Sequence, residues 1–391
     1  MVEKLFMGKR ELERFGAMER VKAGEMTLVE AAVRLGVSYR QAKRIYKRYR
    51  EKGAAGLPHG NQGRVSNNRI DAATREAALA AYREKYDDFG PTFASEKLLE
   101  KEGVAVSVET LRQWLMAEGL WRRKRKSNPH RSRRERRECF GELVQYDGSP
   151  HNRFEDRGPS CCLMNMVDDA TGTTLSMLFE QETTEAAMTL LSRWIAKYGI
   201  PQALYGDHKN SFVITREPNI KEQLAGVQPR SHFQKACDKL GIDVLVAHSP
   251  QAKGRVERNH GVYQDRFVKE LRLAGISGIA EANRFLEETY LPAINAKFAR
   301  PPVCRQDGHV PALGVDLCEI MCLEEMRVVS RDFVVSFHRR LFQILPGNRL
   351  QPRPGDKITV RVRLDKTLDL YYQGEKLSVR EIEKNQRKEA A

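Results

Sequence analysis

The stretch that decides the fold is VLVAHSPQAKGRVERNH, residues 244–260. It opens with an apolar run at 244–247 that is typical of a buried strand. Ser249 and Pro250 follow, where a helix N-cap and a first helical residue are expected. The apolar residues beyond them are spaced to share one face of a helix: Val256, Tyr263, Phe267 and Leu271. The stretch therefore predicts a strand, a polar turn and an amphipathic helix.

Glu257 lies in the second turn of this predicted helix, and three basic residues surround it: Lys253, Arg255 and Arg258. A single glutamate in such a place is most often a surface ion-pair partner. Two aspartates in matching places favour another interpretation. Asp147 in ELVQYDGSPH and Asp207 after ALYG each stand at the end of a predicted strand.

These three carboxylates can converge on one site, because parallel strands present their ends along one edge of a sheet. Converging carboxylates repel each other, and they stay together only by protonation or by binding cations. Oxygen ligands with few neutral partners suit Mg²⁺ or Mn²⁺. The sequence thus predicts a divalent-metal site formed by Asp147, Asp207 and Glu257.

Five segments resemble the integrase core of bacterial insertion-sequence transposases: YDGSPH, VDDATG, ALYGDH, SPQAKGRVERNHG and YLPAINAKFARP. The resemblance is closest to the unclassified, ISNCY-type group, with retroviral integrases as distant relatives. It covers 142–301 strongly and the flanking domains in type and order. The family's three acidic residues carry over onto Asp147, Asp207 and Glu257. The interval between the last two is longer than in retroviral integrases, which fits an insertion between His208 and His232.

The resemblance implies a DDE transposase with a ribonuclease H-like core. Such an enzyme binds the inverted repeats at transposon ends, uses water to free a 3′-hydroxyl and joins that hydroxyl to target DNA. Two Mg²⁺ or Mn²⁺ ions per active site, double-stranded DNA and a homo-oligomer on DNA are implied, without ATP or a membrane. Two alternatives stay open: a catalytically inactive DNA-binding repressor or domesticated transposase, and a structure-specific nuclease of the same fold.

The composition agrees with a nucleic-acid partner. The 391 residues include 67 Lys and Arg against 52 Asp and Glu, a net charge of +15. Such a length predicts roughly two to four domains. The seven cysteines form no CxxC pair, although Cys318 and Cys322 are spaced to share a helix face. Reduced thiols, no zinc and a cytoplasmic protein without signal peptide or membrane span are expected.

The N-terminal region, 1–60, predicts an all-α helix-turn-helix domain. Within 26–50 one helix ends at Gly36 and a second is capped by Ser38. Five polar side chains of the second helix are left outside to enter a major groove: Arg40, Gln41, Lys43, Arg44 and Lys47. A solvated basic helix is the alternative.

A second helical domain is predicted at 61–121, with two helices joined at 103–107. It resembles the second helix-turn-helix of such transposases, with Arg112 and Gln113 as exposed reading positions. A purely structural pair of helices is the alternative.

The basic linker, 122–140, includes RRKRKSNPHRSRRERR, with ten Lys or Arg against one acid. Such a run cannot form a core of its own and is expected to stay extended or irregular. Contact with DNA phosphates by counterion release is predicted, and a solvated tether is the alternative. The predicted contacts begin with its first five residues: Arg122, Arg123, Lys124, Arg125 and Lys126.

The catalytic core is placed at 141–301 as an α/β domain with a mixed sheet. Its elements are predicted as strands at 143–148, 162–168, 174–180, 202–206 and 243–247, with helices at 184–198 and near 231–240. Asp168 and Asp169, before a turn, are alternatives to Asp147 as the first ligand. Lys253, Arg255 and Arg258 are predicted to hold phosphates beside Glu257.

The C-terminal region changes in character. Four or five short alternating strands with Gly and Pro turns at 302–383 predict a small β-barrel, SH3-like by resemblance. The tail at 384–391 is expected to be disordered.

Overall fold

The computed structural model describes residues 8–58, 69–123, 134–207, 228–246 and 253–383, together with 214, 216–218, 220–224 and 226. It divides into two compact units, Met1–Lys126 and Ser127–Ala391. Across the described ranges, every helix is too short or too polar to cross a membrane.

The first unit is helical. Its helices are α1 (Lys9–Lys22), α2 (Leu28–Leu35), α3 (Tyr39–Lys52), α4 (Ala72–Lys85), α5 (Pro91–Glu102) and α6 (Val108–Ala117), with a 3₁₀ turn at Gly53–Gly56. The predicted helix-turn-helix corresponds to α2 and α3. Gly36 ends α2 in the left-handed region, with φ of 62°, which a residue with a Cβ adopts only at a cost.

The start of α3 follows the predicted capping chemistry. The Ser38 side chain accepts a hydrogen bond from the Gln41 N–H, and the Gln41 side chain accepts one from the Ser38 N–H. Ala42, Ile45 and Tyr49 are buried. Ile45 and Tyr49 pack with α1, a helix that the sequence reasoning did not predict. The predicted N-terminal helix-turn-helix is confirmed.

The second unit begins with a five-stranded mixed sheet in the order β3-β2-β1-β4-β5. Its strands are β1 (Val144–His151), β2 (Cys161–Asp168), β3 (Thr174–Phe179), β4 (Ala203–Gly206) and β5 (Asp243–Val246). β2 is antiparallel to β1 and β3, whereas β1, β4 and β5 are parallel. The predicted mixed α/β core is confirmed.

The helices packed with this sheet are α7 (Thr184–Tyr198), α9 (His232–Leu240), α10 (Gly254–Val262), α11 (Val268–Leu273), α12 (Ile279–Phe285) and α13 (Leu291–Phe298). A short helix, α8 (Ile220–Leu224), lies between β4 and α9 in the chain, and its Ile220 and Leu224 side chains are exposed. A 3₁₀ turn lies at Glu155–Arg157, and π-helical turns at Tyr263–Phe267 and Leu286–Tyr290 continue α10 into α11 and α12 into α13. The predicted apolar face of the α10–α11 segment is fully buried: Val256, Tyr263, Phe267 and Leu271. Each such side chain stabilises the fold by roughly 1.5–3 kcal/mol.

The two edge strands of the sheet, β5 and β3, have different surroundings. β5 is an edge strand with an alternating, half-exposed pattern, so the prediction of a buried strand there was wrong. At the opposite edge, side-chain amides cover the backbone of β3. Asn283 exchanges hydrogen bonds of 2.7 and 2.9 Å with the N–H and C=O of Leu178. Asn295 does the same with Thr174 at 2.8 and 2.9 Å.

The C-terminal region forms two sheets, in the part of the chain for which a small β-barrel was predicted. After α14 (Leu317–Ile320) come β6 (Cys322–Val328), β7 (Val334–Phe337), β8 (Arg340–Ile344), β9 (Lys357–Arg363), β10 (Leu368–Tyr372), β11 (Glu375–Lys376) and β12 (Val379–Ile382). They pair as β11-β10-β9-β6 and β12-β8-β7.

The two sheets share an apolar core that includes Val335, Phe342, Val360 and Leu370. The barrel is not confirmed, because no strand in the described part of the chain closes one sheet onto the other. Cys318 lies in α14 and Cys322 begins β6, so the predicted shared helix face was also wrong. Residues 384–391 lie outside the described ranges.

Candidate active site

The register of the parallel strands β1 and β4 places Asp147 and Asp207 opposite each other. Val144 pairs with Leu204 and Gln145 with Tyr205, so the same register continued places Asp147 opposite Asp207. Asp147 lies inside β1, not at its end as predicted, because β1 continues to His151 through its pairing with β2. It is nevertheless beyond the segment that pairs with β4.

Glycine permits this close approach. A Cβ atom at Gly206 would overlap the ring of Tyr146, the residue before Asp147. The Tyr146 ring therefore packs directly over the end of β4. Burial strongly raises the pKa of its hydroxyl, and nearby acidic groups raise it further.

Lys253 joins the two aspartates. Its Nζ lies 3.2 Å from Asp147 Oδ1 and 3.3 Å from Asp207 Oδ2. The lysine side chain is 6% exposed, against 14% for Asp147 and 44% for Asp207. Sequence reasoning assigned Lys253 to phosphate contact on a helix surface, whereas the structure buries it between the two carboxylates.

Glu257 is not part of that cluster. It is exposed and lies in the first turn of α10, not the second as predicted, because the described helix begins at Gly254. The predicted cap Ser249 and first residue Pro250 lie outside the described residues, as does His208. Within the described ranges, no three His, Cys, Asp or Glu side chains are arranged to hold a metal ion.

The helical spacing still relates Glu257 to the aspartates. Lys253 and His260 are four residues before and three residues after it, so the three share one face. His260 Nδ1 lies 3.8 Å from Asp147 Oδ2. Glu257 thus stands between two residues that contact Asp147. His260 was missed because a histidine on an amphipathic helix gives no specific sequence signal.

Glu182 also reaches this region, and sequence reasoning did not identify it. A Cβ atom at Gly148, next to Asp147, would overlap the Glu182 carboxyl group. Glu182 precedes α7 by two residues and is half-buried. Its position results from the close packing of that loop against β1, which cannot be read from local sequence.

Asp168 and Asp169, the alternatives to Asp147, have structural partners. The Asp168 carboxylate accepts hydrogen bonds from the N–H groups of Thr171 and Gly141 at 2.7 and 3.0 Å. Burial raises its pKa. These contacts are those of a capped turn.

Asp169 is fully buried and holds three segments together. Its carboxylate is ion-paired with Arg134 and with Arg255, whose Nε lies 3.2 Å from Oδ1. It also accepts hydrogen bonds of 2.8 Å from Gln145 Nε2 and from the Arg137 N–H. Gln145 Oε1 in turn accepts from the N–H of Val256 at 3.2 Å. Asp169 therefore links β1 to the helix that carries Glu257.

The remaining predicted binding residues are distributed over both units. The five outward residues of α3 are exposed: Arg40, Gln41, Lys43, Arg44 and Lys47. Gln113 is exposed and Arg112 is half-buried, and both donate hydrogen bonds to Glu109. Their role as reading positions stays a prediction. Glu109 has its pKa lowered to about 2 by those hydrogen bonds.

The basic linker is only partly described. Arg122 and Arg123 are exposed, and Lys124, Arg125 and Lys126 lie outside the described residues. Its last described residues are anchored to the core, because Arg134 and Arg137 contact buried Asp169, which the alternative of a solvated tether did not anticipate. Arg258 is exposed, whereas Arg255 is half-buried and paired with Asp169. The phosphate contact of both residues stays a prediction.

Comparison with known proteins gives matches at several levels. The winged helix-turn helix family matches residues 17–76. A candidate transposase of Sinorhizobium fredii, y4bF, is 39% identical over 386 residues, which are 97% of this chain and 83% of that protein. The transposase for insertion sequence IS1202 of Streptococcus pneumoniae is 30% identical over 326 residues, which are 74% of this chain and 68% of that protein.

Solved structures with some likeness come from retroviral integrases. A chain of the simian T-cell lymphotropic virus intasome in complex with a PP2A regulatory subunit has a TM-score of 0.36 at 14% identity, covering 77% of this chain and 98% of its own. The trimeric form of the HTLV-2 integrase catalytic core domain in complex with magnesium has a TM-score of 0.29 at 18% identity, covering 37% and 82%. Likeness at these TM-scores carries no weight for function.

The two sequence relatives decide the family, since both are matched over two thirds or more of their own length. The ISNCY-type grouping within the family stays a prediction. The chain belongs to the family of insertion-sequence transposases.

Proposed function

We propose that this transposase cleaves DNA at the ends of its element to free a 3′-hydroxyl and joins that hydroxyl to target DNA by metal-dependent phosphoryl transfer. The observation that carries the proposal is the placement of Asp147 and Asp207 around one cationic atom, Lys253 Nζ. Two carboxylates that already surround a cation at 3.2 and 3.3 Å form a site that a divalent ion can occupy.

The residues fit such an ion by their chemistry. Asp147 and Asp207 supply hard oxygen ligands, and Glu257 lies on the helix face that adjoins them. These three would hold Mg²⁺ or Mn²⁺, two ions per site. When bound, the ions supply an activated oxygen nucleophile and neutralise the leaving 3′ oxygen. The chain itself contributes the level placement of Asp147 and Asp207, and Lys253 must leave the space between them.

The N-terminal helix-turn-helix supports recognition of transposon-end double-stranded DNA. The exposed face of α3 carries Arg40, Lys43, Arg44 and Lys47, a pattern suited to a major groove and its phosphates. Arg122 and Arg123 add positive charge at the end of the same unit. A homo-oligomer follows from the reaction, because two ends must be joined together.

Metal removal tests the proposed activity. A labelled duplex carrying the inverted repeat beside the gene should be cleaved and joined with Mg²⁺ or Mn²⁺ and left intact in EDTA. Ca²⁺ should support assembly on DNA without chemistry, because its looser geometry positions a nucleophile poorly. Full activity in EDTA, or activity restored by Zn²⁺ alone, would contradict the proposal. Binding without cleavage under every condition would instead favour the inactive repressor.

Lys253→Gln should change the response to metal independently of catalysis. Without the ammonium, Asp147 and Asp207 repel each other, so Tm in EDTA should fall by about 2–4 °C, as ~1 kcal/mol gives in a unit of this size. Added Mg²⁺ should then raise the Tm of the variant more than that of the wild type, because no lysine has to be displaced. Lys269→Gln is the control, since Lys269 is equally buried and pairs with Asp265 on its own helix. Equal Mg²⁺ shifts in both variants would show that Lys253 does not occupy the metal position.

A further inference from the structure

Five arginines from three distant segments lie close together beside α10, the helix that carries Glu257. The arginine cluster, as we define it, consists of Arg134, Arg136, Arg255, Arg258 and Arg300. Arg134 and Arg136 end the basic linker, Arg255 and Arg258 belong to α10, and Arg300 follows α13. The fold brings them together around the turn that contains Asp169 and Ala170.

One carbonyl oxygen and one carboxylate hold four of the five arginines in place. Arg136 Nη1 donates to the Ala170 carbonyl at 3.1 Å, and Arg300 Nε donates to the same oxygen at 3.5 Å. Arg134 and Arg255 are paired with the Asp169 carboxylate. Two guanidinium groups thus share one carbonyl oxygen, and two others share one carboxylate.

Positive charge exceeds negative charge at this place. Asp168 and Asp169 are the two carboxylates of the turn. The Asp168 carboxylate already accepts hydrogen bonds from the N–H groups of Thr171 and Gly141. Burial and repulsion by Arg300 and Arg258 lower the pKa of Arg136, although Asp169 offsets part of this. Cations that are held together at an electrostatic cost indicate a place for an anion.

We propose that the arginine cluster binds a backbone phosphate of the DNA on which the enzyme acts. This inference rests on the proposed function for the identity of the anion. Guanidinium groups match phosphate oxygens with paired N–H donors, which lysines do not. Arg136 and Arg300 lie at the Ala170 carbonyl, next to the two guanidinium groups that Asp169 fixes. Arg258 is exposed and close enough to repel Arg136.

The cluster is connected to the acidic site. Asp169 binds Gln145, which is two residues before Asp147, and Gln145 accepts a hydrogen bond from Val256, the residue before Glu257. A phosphate held by the cluster therefore lies beside the helix and strand that carry the predicted ligands. The same contacts tie the end of the basic linker to the catalytic core.

The test compares two double variants of the full-length protein. Arg136→Gln with Arg300→Gln removes two cluster charges and leaves the Asp169 pairs intact. Arg193→Gln with Arg230→Gln is the matched control, because both arginines are about half exposed and pair with exposed carboxylates elsewhere on the same unit. Binding to a random 20-bp duplex is measured by fluorescence anisotropy in EDTA over a salt series, so that metal and cleavage play no part.

The cluster variant should bind roughly 5–30-fold more weakly at low salt, and its slope of log Kd against log salt should fall by about one to two. The control should change Kd less than about twofold. Equal losses in both variants would overturn the inference while leaving the proposed function standing. No DNA binding by the wild type would overturn both.

Two further measurements keep the result unambiguous. If the double variant does not fold, the single variant Arg258→Gln takes its place, because the Arg258 side chain is exposed. An unchanged Kd of Arg258→Gln for the duplex would overturn the inference. Inorganic pyrophosphate is tested separately by its effect on Tm. Stabilisation of the wild type by pyrophosphate, lost in the cluster variant while DNA affinity is unchanged, would assign the cluster to a small free anion instead of DNA.

Discussion

Asp147→Asn should abolish both DNA cleavage and strand joining, by roughly 10²–10³-fold or more. The substitution keeps the size of the side chain but removes the charge that Lys253 now balances and that a metal ion needs. Asp147 is the best-placed candidate for the first ligand, since it contacts both Lys253 and His260 and lies opposite Asp207. Duplex binding should stay near the wild-type value, because α3 belongs to the other compact unit. Cleavage, joining and binding are measured on the same labelled end.

Two other aspartates of the same sheet make this result interpretable. Asp243→Asn neutralises an exposed carboxylate at the start of β5 and should leave the rate within about twofold. Asp168→Asn should lower stability through its turn, with residual cleavage in proportion to folded protein. Normal cleavage by Asp147→Asn together with a dead but folded Asp168→Asn would reassign the first ligand.

Asp169→Asn should be the most destabilising single substitution in the catalytic unit. It leaves Arg134 and Arg255 beside a fully buried position without the charge that balances them. Removing one partner of a buried ion pair costs about 3–5 kcal/mol. That corresponds to a loss of roughly 6–20 °C in the Tm of a unit of this size. Thermal unfolding followed by circular dichroism measures it.

Asp238→Asn supplies the contrast for that measurement. Asp238 pairs with Arg230 at 2.9 Å, but both side chains are more than two fifths exposed. Such surface pairs contribute about 0–1 kcal/mol, so the Tm should change by at most about 4 °C. If Asp169→Asn unfolds no earlier than Asp238→Asn, the buried network does not stabilise the core as described.

The catalytic core was largely predictable because its elements are marked locally. Helix α7 begins after Thr183, whose side chain accepts a hydrogen bond from the Ala186 N–H, and it ends at Gly199, so its predicted bounds match. Apolar strands flanked by turns were found in the same way. Asp147 and Asp207 could be paired in advance because parallel strands share an edge.

What could not be predicted depends on contacts between distant residues. Lys253 appears in the sequence as one more cation near Glu257, and only the fold shows that it lies between two aspartates. Asp169 joins residues 134, 145 and 255, which no local pattern relates. The C-terminal strands were recognised as strands, but their division into two sheets is decided by long-range pairing.

The side-chain amides that cover β3 are synthesised long after the strand itself. Asn283 and Asn295 lie 105 and 121 residues after the strand positions they bind. At a synthesis rate of about 5–20 residues per second, the unpaired backbone edge of β3 is made on the order of 5–20 s before the two asparagines that cover it. During that interval the emerging hairpin of β2 and β3 presents free backbone groups to other nascent chains. Ribosome-associated chaperones should therefore matter more for this protein's yield than the stability of its finished core would suggest.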